Sequence, residues 1–205
     1  MTRRLLLTAP GLSSLLSADD NFLTWDAKQA KKLVLAGRVM GQVGKTFDLR
    51  IRSTDRSYNF KLRATWLTPQ IIQALARLEQ ISKSLTAAET RKLVAAGQAA
   101  GEIIIQIEID PREGSGIIPS GWVALLGNSP RFVRGSNAPQ LRDLPALAPL
   151  PPRDYAYEIF WLVFPSKTED GQPIFSAADR ETEMSVQIQG KVGKIKFPIP
   201  DYLRP

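Results

Sequence analysis

Phe47-Asp48-Leu49-Arg50-Ile51-Arg52 and Tyr58-Asn59-Phe60-Lys61-Leu62-Arg63-Ala64-Thr65-Trp66 decide the fold. Both stretches alternate apolar and polar residues at period two, the pattern of a half-buried β-strand. Folding the chain around Thr54-Asp55 sets Phe47 opposite Leu62, Leu49 opposite Phe60 and Ile51 opposite Tyr58, with every apolar pair on one face. A one-residue slip would send that whole set to the other face. The same register faces Asp48 with Lys61, a cross-strand ion pair worth about 0.2–1 kcal/mol.

Outward from this hairpin the pattern changes to helical. Thr68-Pro69 is a helix start, with Thr as cap and Pro in the first turn; Ile71, Leu75, Leu78 and Ile81 form the apolar stripe. Thr86-Ala87-Ala88-Glu89 is a capping box for a second helix, which Gly101 stops. Residues 68–100 are therefore expected as a helical hairpin inserted between strands, laid across one sheet face or capping its end. Upstream, Leu33-Val34-Leu35 reads as a short strand, and Gly37, Gly41 and Gly44 as bends after it.

Strand character returns at 102–110, with Ile103, Ile105, Ile107 and Ile109 inward and Gln106 and Glu108 outward. Residues 137–153 carry five prolines, and Leu141, Leu144, Leu147 and Leu150 recur every third residue. Three residues make one turn of polyproline II, so the leucines share an edge and the segment is expected as an extended arm packed along the body. Tyr155 to Phe164 reads as a central aromatic strand. Near the C-terminus Ile188 is expected opposite Ile195 and Val186 opposite Phe197, around a Gly190–Gly193 turn, with Pro198 and Pro200 confining the last strand to an edge. The sum is an α+β, predominantly β chain: an antiparallel β-sandwich or open barrel with an inserted helical hairpin.

The N-terminus has a different character. Arg3-Arg4 precede a short apolar stretch, and no charge follows until Asp19. This is the three-part plan of a bacterial export signal, and the apolar part falls short of the ~20 residues that span a bilayer. Residues 1–18 are expected to be removed, leaving 19–205 as one β-rich domain in the periplasm or outside the cell. Removal takes Arg3 and Arg4 with it and lowers the net charge from +7 to +5. Moderate basicity suits a partner protein or an anionic envelope component; no run of five basic residues points to nucleic acid. No later stretch reaches transmembrane length.

Composition restricts the chemistry further. With no cysteine and no histidine, thiol and Ser–His–Asp hydrolysis and ordinary zinc sites are excluded. Gly44-Lys45-Thr46 resembles the end of a phosphate loop, but Val39 stands where that loop needs glycine and a strand follows in place of a helix. Asp110-Pro111-Arg112-Glu113 is the candidate catalytic group: Asp110 and Glu113 as a carboxylate pair flanking Arg112, and otherwise a self-paired structural loop. Arg50, Arg52, Lys61 and Arg63 line the outward face of the hairpin as a candidate anion-binding surface, or as charges that protect a strand from edge pairing. Asp19-Asp20 and Glu169-Asp170-Gly171 lack the alternating acids of a calcium loop and read as solvated. Trp66 and Trp161 fall on apolar faces and belong to the core. No cofactor or metal is expected. The sequence points to a non-catalytic exported binding module; the alternatives are a carboxylate-dependent carbohydrate enzyme or a subunit that donates its arm to an envelope complex.

Overall fold

The computed structural model describes residues 20–44, 59–111, 118–150 and 158–205. The chain is a mixed α/β protein, with three α-helices and a nine-stranded antiparallel sheet among the described residues. In chain order the elements are α1 (Ala27–Ala36), β1 (Arg38–Val43), β2 (Phe60–Trp66), α2 (Pro69–Lys83), α3 (Ala87–Ala99) and β3 (Ile103–Pro111). Then follow β4 (Val123–Asn128), β5 (Arg131–Arg134), β6 (Ser136–Asn137), β7 (Glu158–Phe164), β8 (Glu181–Ile188) and β9 (Lys191–Pro198).

The sheet order is β5-β4-β8-β9-β1-β2-β3-β7-β6. Its two outermost strands, β5 and β6, are consecutive pieces of one strand separated only by Gly135. That crossing strand pairs with β4 first and with β7 afterwards, so the sheet returns on itself as a nearly closed barrel. Gly135 N–H donates to Ala124 O at 3.0 Å, and three residues later Ala138 N–H donates to Trp161 O at 2.8 Å. This near-closure pairs most of the edges that an open sheet would have to protect.

The alternation read from the sequence survives: Phe60, Leu62, Ala64, Ile103, Ile105, Ile107 and Ile109 all point into the barrel and are fully buried. The register does not. Leu62 faces Gly41 and Phe60 faces Val43, in place of Phe47 and Leu49, and Lys61 faces Gln42. Val39, Gly41 and Val43 share the odd-numbered phase of Phe47, Leu49 and Ile51. A shift by six residues keeps every apolar side chain inward, so periodicity fixes the face and leaves the register open. Phe47 to Ile51, Thr54-Asp55 and Tyr58 lie outside the described residues. The C-terminal hairpin shows the same even slip: Met184 faces Ile195 and Thr182 faces Phe197. Its turn is only Gln189-Gly190, with φ of 49° and 76°, the two-residue type I′ geometry whose twist suits a hairpin. Nor is β9 an edge, since it lies between β8 and β1 with Pro198 at its very end.

Leu33, Val34 and Leu35 are the last full turn of α1, not a strand. Asp26 caps that helix by accepting from Gln29 N–H at 2.7 Å, and Ala30 and Val34, four apart, bury its inner side. The α2 and α3 starts are as the sequence indicates, with Thr68 capping α2 and a reciprocal Thr86–Glu89 capping box on α3. All three helices cover the outer face of β3 and β7, where Ile104 and Trp161 join a second core with Phe22, Val34, Ile72 and Val94.

The arm packs here too. Its described part, to Leu150, forms two 3-10 turns, Pro139–Asp143 and Pro145–Leu147, in place of polyproline II, and Pro151 to Arg153 lie outside the described residues. Both helices have three residues per turn, so the leucine spacing could not separate them. Leu141, Leu147 and Leu150 are buried against the body. Gln106 and Glu108 face outward but are buried as well. Gln106 Nε2 and Trp161 Nε1 both donate to Leu147 O, at 3.1 and 2.9 Å, beneath the arm.

Candidate functional site: the open mouth of the barrel

The two ends of the barrel differ. At the end carrying the helix connections, Trp66 packs edge-on to Phe197 at 5.8 Å and against Phe175 at 6.2 Å between ring centroids. Ile174 and Phe175, from the segment between β7 and β8, are fully buried there. That end is plugged by large side chains.

At the opposite end the described chain leaves or enters strands at Gly44, Asn59, Pro111 and Glu158. Here the crossing strand has left β4 without yet closing the wall. Among the described residues β6 pairs only with Leu162 and Val163 of β7, leaving Glu158 to Phe160 without a partner on that side. A wedge between the starts of β4 and β7 opens into a cavity of about 410 Å³. Ala124, Phe160 and Leu162 form its floor, while Trp122, Arg134 and Glu158 stand around it. Trp122 and Phe160 meet edge-to-face across the wedge, with centroids 5.0 Å apart. Asn137 lies opposite Leu162 in the ladder and therefore shares its cavity-facing side. A volume of this size falls within the ~300–1,000 Å³ of ordinary ligand pockets, which favour the mouths of barrels.

The residues singled out from sequence lie elsewhere. Asp110 is at the end of β3, opposite Lys61, and its even-numbered phase turns it to the outer wall, where it is buried. It is not among the residues lining the mouth. Arg112 and Glu113 lie outside the described residues, as do Arg50 and Arg52. Lys61 and Arg63 are half-buried on the outer face of β2. Arg63 faces Glu108, whose carboxylate lies 3.6 Å from its guanidinium and 2.9 Å from that of Arg38. Two cations thus converge on one buried carboxylate, which offsets its desolvation and neutralises part of the basic face. Trp66 and Trp161 are core residues, as their phase indicates. Among the described residues no cluster of three acidic side chains could hold a metal ion.

The mouth itself was not legible in the sequence. Trp122, Arg134 and Phe160 come from three separated segments, and only barrel closure at Gly135 brings them together. A second concavity, an apolar cleft of about 340 Å³, lies between α2 and the arm, with Leu75, Leu78 and Leu150 on its walls.

No family model matches the chain, and no curated protein or solved structure is significantly similar to it. The functional reading therefore stands on the geometry alone.

Proposed function

We infer that the protein is a non-catalytic binding module, exported to the periplasm or beyond, which receives a small ligand at the mouth of its barrel. The asymmetry of the two barrel ends carries this reading. One end is filled by Trp66, Phe175 and Phe197, whereas among the described residues the other holds a cavity with Ala124, Phe160 and Leu162 on its floor and polar groups around it. Glu158 is the single carboxylate among the described lining residues. The chain has no histidine or cysteine, which excludes thiol and Ser–His–Asp chemistry. Export is supported by Arg3-Arg4 and the uncharged stretch that follows.

Titration of the full chain with the neutral dye Nile red tests the cavity. Saturable fluorescence enhancement is expected, weakened about tenfold or more by Ala124→Leu, which fills the floor. Trp122→Ala serves as a second variant should Ala124→Leu fail to fold. Absence of saturable binding, or binding unchanged in both variants, overturns the reading. Fractionation of expressing bacteria tests export, with a shortened chain expected in the envelope fraction and an Arg3→Ala, Arg4→Ala variant retained inside.

A further inference from the structure

Phe132, Gly127, Glu183 and Lys196 form one row across the adjacent strands β5, β4, β8 and β9. Residues paired directly across strands share a face of the sheet. Phe132 is 43% exposed and Lys196 is exposed, while Val133, Leu126, Met184 and Ile195, one residue along each strand, are buried. The row therefore lies on the outer wall of the barrel. Gly127 interrupts it. Its φ is 144°, and a Cβ there would lie 2.1 Å from Arg131 O, so no side chain stands between Phe132 and Glu183. Those two residues are two strand spacings apart, about 9–10 Å, and the notch between them is part of a pocket of about 390 Å³. It shares no lining residue with the mouth.

The lining combines one aromatic ring with paired donors and acceptors. Glu183 Oε1 accepts from Lys194 Nζ at 2.8 Å, which holds the carboxylate at the pocket with lone pairs to spare. Glu181 and Lys196 also line it, and neither makes an ion pair among the described residues. Two carboxylates and two ammonium groups cancel, so the pocket favours neither an anion nor a cation. A fitting ligand presents an apolar face to Phe132 and, around its rim, groups that both donate and accept. A pyranose does so: its C–H face covers an aromatic ring, and each hydroxyl donates to carboxylate and accepts from ammonium. We propose that this notch is a second ligand site, which binds a neutral saccharide ring stacked on Phe132 with its hydroxyls between the carboxylates and Lys196.

Isothermal titration of the full chain with methyl glucoside, methyl galactoside, methyl mannoside and N-acetylglucosamine tests it. Saturable binding of at least one is expected, with the uronic acid and 2-amino forms of that ring binding no more tightly. Phe132→Ala should weaken it about tenfold or more, and Phe132→Tyr should retain it. Lys196→Ala should weaken it a few-fold. Ala124→Leu or Trp122→Ala, in the mouth, should leave it unchanged. Absence of saturable binding, tighter binding of a charged form, or binding unchanged in Phe132→Ala overturns the proposal and does not touch the reading of the mouth. Binding lost in the mouth variants and kept in Phe132→Ala overturns it by moving the sugar to the mouth. The linear pentasaccharide of the preferred ring separates two sources. Affinity about tenfold or more above that of the single ring assigns the site to a glycan chain, and a smaller gain assigns it to a free sugar.

Discussion

A Cβ on Gly135 would lie 2.7 Å from Cε1 and Cζ of Phe164. The crossing strand passes directly over this fully buried ring at the point where it exchanges β4 for β7, and only a glycine allows so close an approach. Gly135→Ala is therefore expected to destabilise the protein by about 1–3 kcal/mol, the usual cost of overpacking. In a Phe164→Leu background the same change should cost less, because the leucine leaves room for the methyl. Urea unfolding of the four proteins in this cycle measures the difference; equal costs in both backgrounds would show that the ring is not the obstacle.

Leu147 O is the buried acceptor that ties the arm to the barrel, with Gln106 and Trp161 as its two donors. Trp161→Phe or Gln106→Leu alone leaves the carbonyl with one partner. Both together leave it buried and unsatisfied, at a further cost of about 1–3 kcal/mol. The double variant should therefore lose more stability than the sum of the single ones. Additive losses in a urea double-mutant cycle would mean that water reaches the carbonyl once its donors are gone.

The sequence disclosed faces better than partners, for a physical reason that recurs in two places. Period-two alternation places Phe60, Leu62, Met184 and Val186 inward in any register shifted by an even number of residues, so the β1–β2 and β8–β9 pairings could not be read from it. Turn chemistry sets the second register, through the positive φ of Gln189 and Gly190. Capping signals at Thr68 and Thr86 were unambiguous because side-chain and backbone donors meet within one turn. Asp26 carries the same signal for α1, and there the four-residue spacing of Ala30 and Val34 outweighs the strand-like run Leu33-Val34-Leu35. The mouth is a product of tertiary closure, and no local pattern encodes it.

Gln189 adopts φ 49° in the first position of the type I′ turn, where asparagine is tolerated far better than glutamine. Gln189→Asn is expected to stabilise the protein by about 0.5 kcal/mol, in the range of other turn optimisations. Gly190→Ala, at φ 76°, should destabilise it by about 1 kcal/mol or more. Thermal unfolding of both variants gives the two signs. A neutral Gln189→Asn would argue for a longer, looser turn.

The pH dependence of stability follows from the carboxylates. Hydrogen bonding from Arg91 holds Asp20 below its ordinary pKa, and hydrogen bonding from Ser166 does the same for Glu102. The Ser176 backbone N–H, 2.6 Å away, lowers Asp179, with Arg131 adding to the effect. Each group is more acidic folded than unfolded, so its contribution is fully present above the unfolded pKa of about 4 and is lost as pH falls through the folded value. With no histidine in the chain, no side chain has its ordinary pKa between about 5 and 8. Urea midpoints should therefore be flat from about pH 6 to pH 8 and fall steeply below about pH 4. Asp179→Asn lowers the midpoint at neutral pH and should make the fall at acid pH shallower, since this site no longer has a proton to take up on unfolding. A slope between pH 6 and pH 8, or an undiminished acid fall in Asp179→Asn, would place the controlling proton on another group.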